Sequence, residues 1–183
     1  MLVISNKKET KTEPNKVKSI QLRFKVVRYF LNPLNMLIQI GFATRKKGKT
    51  ALGRAMSHHL CNALTGEYPD ITIDPAKAKI SEGSLDLVML EQVERAGDFI
   101  TVKWHLPNRF FPDQSNWDDE VVLCVYDIEA GNAAINEHQV IRKDAHMTLT
   151  LPSVLCGKQV HLYLMLHDRD KRKVSRSEYL GKY

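Results

Sequence analysis

From Val17 onward the apolar positions Val17, Ile20, Phe24, Val27, Leu31, Leu34 and Ile38 recur at spacings of three, four, three, four, three and four. That period marks one face of an α-helix and predicts a helix whose apolar side is buried. Thr12, Glu13 and Pro14 place an N-cap and an N1 proline just ahead of it. Pro33 interrupts the run, and its ring removes a donor and crowds the preceding turn. The helix should therefore break near Leu31 or Asn32, with a short second helix from Pro33 to Ile40 that Gly41 caps. After Arg45-Lys46-Lys47-Gly48-Lys49, Thr50 is the expected cap of another main helix with apolar positions Leu52, Ala55, Met56, His59, Leu60 and Ala63, closed by Gly66. Two main helices joined by a short connection predict an antiparallel helical hairpin over 12–66, behind a polar lead-in over 1–11.

Beyond Tyr68-Pro69 the period shortens from helical to alternating. Ile71 to Ile73 and Lys77 to Ile80 read as short strands in a connector over 67–81. Ile100, Val102, Trp104 and Leu106 alternate with Thr101, Lys103 and His105, as a half-buried strand requires. Val121 to Tyr126 is apolar at nearly every position and predicts a strand covered on both faces. Gly131-Asn132 is a turn signal. Met147 to Leu151, Val160 to Leu166 and a weaker Val174 to Tyr179 complete the strand set. Short strands at this spacing predict a β-sandwich over 82–183, so the expected fold class is α+β.

Charge sharpens the division. Met1 to Arg54 holds thirteen Lys or Arg against two acids, and the remainder holds fourteen against nineteen, so the net +6 divides into +11 and −5. Lys16, Lys18, Arg23, Lys25 and Arg28 should project from the first helix, with Arg45, Lys46, Lys47 and Lys49 nearby, as a candidate surface for an anionic partner. A solvated helix face needs charge in any case, and aromatic interleaving is thin, with Tyr29 the main residue able to stack on a base.

Catalytic and metal chemistry finds little purchase. His58 and His59 are adjacent, so they point about 100° apart instead of sharing a helix face; His59 falls on the apolar side and reads as a core residue. His105, His161 and His167 lack an acidic or Cys partner at ligand spacing. Asp113, Asp118, Asp119 and Glu120 surround Trp117 without the glycine-containing pattern of a calcium loop, and read as a solvated connection. Ser57, Ser84 and Ser153 have no nucleophile elbow. Gly48-Lys49-Thr50 resembles the end of a phosphate loop, but Ala43 stands where that motif needs glycine. Cys61, Cys124 and Cys156 are too widely spaced for a disulfide framework or a zinc site and read as small buried hydrophobes. No cofactor and no small-molecule ligand is expected, and the chain is read as non-enzymatic. The apolar run from Phe30 to Phe42 falls short of a membrane span and no export signal opens the chain, which makes the cytoplasm the default expectation.

Arg23-Phe24, Phe30-Leu31-Asn32-Pro33-Leu34, Ile40-Gly41-Phe42, Lys47-Gly48-Lys49-Thr50-Ala51, Asn62-Ala63-Leu64-Thr65-Gly66, Tyr68-Pro69, Ile80-Ser81-Glu82-Gly83-Ser84-Leu85, His161-Leu162-Tyr163-Leu164 and Ser175 to Gly181 follow in an order and spacing that resembles an uncharacterised bacterial family, a domain of unknown function. The resemblance implies a family and no activity. Members of that family open on a Gly-rich segment containing Gly-Lys-Val-Gly, which nothing before Thr12 matches. The C-terminal part separately resembles a fibronectin type III or related immunoglobulin-like module, with Trp104 on an early strand and Tyr163 on a late one. Modules of that kind mostly bind or space other molecules. The first expectation is thus a structural or interaction protein that assembles with another protein or with itself. The second is nucleic-acid binding through the basic helices.

Overall fold

A computed structural model of the protein describes residues 14–43, 48–106 and 117–183. The Thr12 cap, the lead-in over 1–11, the loop cations Arg45, Lys46 and Lys47, and Asp113 lie outside them. Three helices come first: α1 (Pro14–Leu31), α2 (Asn35–Gly41) and α3 (Ala51–Asn62). Pro14 opens α1, and the chain turns at Asn32-Pro33-Leu34 before α2. Thr50 caps α3, its hydroxyl accepting the Gly53 N–H at 3.0 Å. A two-residue ladder pairs β1 (Leu64–Thr65) with β2 (Thr72–Ile73) antiparallel.

The remaining strands are β3 (Met89–Ala96), β4 (Phe99–His105), β5 (Glu120–Asp127), β6 (Asn132–Ile135), β7 (His146–Thr150), β8 (His161–His167) and β9 (Glu178–Lys182). They form two antiparallel sheets, one in the order β3-β4-β7 and the other β6-β5-β8-β9. The fold is therefore α+β, helices followed by an antiparallel two-sheet sandwich.

Alternation along β5 and β8 organises the packing. Val121, Leu123 and Val125 pair with Leu166, Leu164 and Leu162, and all six face the other sheet, meeting Ile100, Val102, Trp104, Met147 and Leu149. Val122, Cys124 and Tyr126, with Tyr163 and Met165, point the opposite way into a second core with Phe30, Leu31, Leu34, Ile38, Phe42 and Ala55. The helices thus form a third layer over the four-stranded sheet. Tyr126 fastens that layer by donating to the Phe30 carbonyl at 3.0 Å, and Tyr163 donates to the Pro75 carbonyl in the turn after β2 at 2.9 Å. The rings of Phe30 and Tyr126 meet edge to face at 5.2 Å.

Several expectations need correction. Lys77 to Ile80 is a turn and an irregular stretch, not a strand, because Lys77 and Ala78 both donate to the Asp74 carbonyl and close a turn there. The last strand begins at Glu178: Val174 only bridges His167, and Ser175 bridges Leu85. β3 and β6 carry no clear pattern in the sequence. β3 is an edge strand with a bulge between Leu90 and Gln92, so its half-buried positions Leu90 and Val93 fall three apart.

Gly41 is the buried last residue of α2, and Phe42 takes the cap position. A Cβ at 41 would overlap the Ile80 carbonyl and Ser81. The two segments cannot simply part, because the Glu82 N–H donates to the Gly41 carbonyl at 2.9 Å. Gly41→Ala is expected to lower the unfolding free energy by about 2 kcal/mol through overpacking. A urea titration should show an earlier midpoint with an unchanged slope; an unchanged midpoint would show that the segments give way freely.

Candidate docking surface

The C-terminal half of α1 behaves as its pattern predicts: Val27, Phe30 and Leu31 are buried. Its N-terminal half does not. Val17, Ile20 and Phe24 are 41%, 54% and 50% exposed, although they continue the same seam. α3 and β2 are elements that pack against α1. Ahead of Val27 the half-buried positions of α1 are Ser19, Leu22 and Val26, while Val17, Ile20 and Phe24 of the apolar seam face outward. Three large apolar side chains on two successive turns form a strip of the kind that marks a contact surface.

The charge that α1 itself carries around this strip is one-signed. Between Glu13 and Glu67 the chain contains no Asp or Glu. Lys16, Lys18, Arg23, Lys25 and Arg28 are exposed on α1, and none of them forms an ion pair among the described residues. At about 100° per residue, Lys16 and Arg23 fall on one flank of the strip. Arg28 falls on the other, and Lys18 and Lys25 lie further round. Lys16 and Arg23 also border a cleft shared with Glu67 and Tyr68 in the turn between β1 and β2. The structure therefore distributes these cations around the strip. It does not gather them on one face.

Lys49 stands apart from them, exposed ahead of α3, beside a groove that also contains Arg54, His58 and Glu82. Arg54 is a structural residue. Its guanidinium donates to the Phe42 and Ala43 carbonyls at 2.9 Å each and reaches Glu82 at 4.0 Å.

The histidines are placed by backbone and neighbouring strands. His59 is fully buried: Nδ1 lies 2.8 Å from the Ala55 carbonyl, and Nε2 faces the Lys79 N–H at 3.4 Å. An amide donor at Nε2 requires a lone pair there, so the proton sits on Nδ1 and the ring is neutral. Burial is the main cause that lowers its pKa to about 4, with His58 and Lys79 acting in the same direction. His105 and His167 do have acidic neighbours, Glu91 at 3.2 Å and Glu120 at 3.7 Å. Both partners lie on adjacent strands, out of sight of linear spacing.

His161 accepts from or donates to the Tyr179 hydroxyl at 2.8 Å, with the two rings stacked. Asp119 departs from the solvated connection expected of it. Its buried carboxylate lies 3.1 Å from the Arg142 guanidinium, and burial raises its pKa against the opposing pull of that arginine. Of the cysteines only Cys124 is buried, its thiol pushed up to about 12, while Cys61 is exposed.

A family model matches residues 4–181, nearly the whole chain. The chain belongs to DUF6266, a family of unknown function. The matched span takes in the motifs from Arg23-Phe24 to Leu180-Gly181, and this member combines a helical layer with an antiparallel sandwich. No curated protein matches the chain, and no solved structure does. Among the described residues no helix is long and apolar enough to cross a membrane.

Proposed function

We propose that this DUF6266 protein is a non-enzymatic interaction module that docks another macromolecule on the outward face of α1. The observation that carries this reading is the exposure of Val17, Ile20 and Phe24 in direct continuation of a seam that is buried from Val27 onward. An apolar row at regular helical spacing gains stability only when covered, and nothing in the described fold covers it. The division of the sandwich into three and four strands supports the fibronectin type III-like reading, in which the β-portion spaces or presents a binding element. Nucleic-acid binding is the second reading, favoured by the stretch from Glu13 to Glu67 without a carboxylate between. It ranks lower because the α1 cations do not line one face and because phosphate contacts would leave the apolar strip unused.

A photo-crosslinking side chain in place of the exposed Gln21, introduced in cells that naturally make the protein, tests the docking face. The expected result is one discrete adduct that disappears in Phe24→Glu and is absent when the crosslinker replaces Lys103 on β4. Equal labelling from both positions, or none from either, would remove α1 as the working surface.

A further inference from the structure

The strip on α1 repeats in a strict heptad. Within α1, Val17, Phe24 and Leu31 take one core position, conventionally a, and Ile20 and Val27 take the other, d. A spacing that alternates three and four is the repeat that lets a second helix lie along the first with its own apolar residues interleaved. Only the first part of this repeat is available, because from Val27 onward the protein's own core occupies it. Val17 to Phe24 covers eight residues, about 10 Å of helix, enough for two turns of a partner.

The positions flanking the repeat identify the partner's chemistry. Lys16 and Arg23 occupy the g positions, and Gln21 and Arg28 the e positions. Side chains at e and g meet their counterparts across a helix pair and determine which helices associate. In a parallel pair of two copies, Arg23 would face Arg28. In an antiparallel pair, Lys16 and Arg23 would face each other. Either way like charges oppose, so a second copy is disfavoured. Nucleic acid would use the cations without the apolar row. A bilayer would call for a longer apolar face than three side chains on a helix whose opposite side is fastened to the protein.

We infer that α1 receives an acidic amphipathic helix from another protein, with apolar residues at a and d and Glu or Asp at e and g. This rests on the reading of α1 as the docking face and adds the class of partner. The geometry is that of a helix laid along an apolar seam, with charged flanks selecting the partner by sign.

The test uses the full chain and a labelled three-heptad peptide with Leu at a and d and Glu at e and g. A second peptide has the same seam with Lys at e and g. Fluorescence anisotropy at low salt should show the acidic peptide bound at least about tenfold more tightly than the basic one. Phe24→Ala, at an exposed position that leaves the fold intact by circular dichroism, should weaken it about tenfold. The double variant Arg23→Glu with Arg28→Glu should reverse the preference and bind the basic peptide. Equal binding of both peptides, no reversal on charge exchange, or tighter retention on anionic phosphatidylserine vesicles or on a short DNA duplex would overturn the inference. If the peptides fail while Gln21 still crosslinks a discrete partner, the acidic-helix class is wrong and the docking face stands. If both fail, the face itself is wrong.

Discussion

Replacing Asp119 by alanine is expected to lower the unfolding free energy by about 3 kcal/mol, the scale on which removing one member of a buried ion pair acts. Asp119 and Arg142 are joined twice, by guanidinium to carboxylate at 3.1 Å and by the Arg142 N–H to the Asp119 carbonyl at 2.9 Å. The same guanidinium donates to the Asp86 carbonyl at 2.6 Å, and the Arg142 carbonyl accepts from the Trp104 indole at 2.7 Å. One residue therefore links the lead-in to β3, the interior of β4 and the start of β5. Alanine at 119 keeps the backbone bond but removes the buried carboxylate that faces the half-buried Arg142 guanidinium. Urea unfolding measures the loss, and pairing Asp119→Ala with Arg142→Met should cost less than the sum of the single changes. A loss below about 0.5 kcal/mol for Asp119→Ala would mean that the pair behaves as a surface bridge.

Acid should destabilise the helical layer through His59. Its pKa is about 4 in the folded protein against an ordinary 6.5. A folded-state value below the unfolded one means that the unfolded chain takes up the proton first. Stability from the neutral ring is therefore complete above 6.5, falls as pH drops from 6.5 toward 4, and changes no further below that. Over this interval the loss is about 3 kcal/mol, at roughly 1.4 kcal/mol for each unit. The physical cause is that a second proton on the ring must go on Nε2, where the Lys79 N–H already points, on a side chain shut off from solvent. Denaturant titrations at pH 7.5 and 4.5 should show the drop, and His59→Leu should flatten it even though the variant is less stable at neutral pH. The same slope in His59→Leu as in the parent would assign the acid sensitivity to other groups.

Much of this architecture was legible in the sequence where one face meets one core. The turn at Pro33, the Thr50 cap, the buried position of His59 and the doubly covered β5 all follow from local spacing and backbone chemistry. Where neighbours decide, the sequence is silent. β3 was hidden by its bulge, which moves Leu90 and Val93 out of period two. β6, with Ala133 and Ala134 at its centre, offers too little apolar bulk to stand out. Asp119 looked solvated because its partner, Arg142, lies twenty-three residues away.

The candidate surface shows the same limit in a sharper form. Spacing made Val17, Ile20 and Phe24 core residues, and spacing cannot say how far along a helix the rest of the protein extends. The available hint was compositional: Lys16, Lys18, Arg23 and Lys25 crowd the seam where it is exposed, whereas from Val26 to Leu31 only Arg28 carries charge.

The double burial of β5 has a consequence for how this family can vary. Most sandwich strands keep every second residue in water, and those positions accept polar, charged or bulky replacements with little effect. From Val121 to Asp127 no residue of β5 has that freedom, because each side chain lies in one core or the other or is otherwise buried. Any substitution along this strand is a change to a packed interior. Diversity among relatives should collect instead on exposed positions such as those of the α1 surface, where a new side chain can alter what is bound without disturbing what holds the protein together.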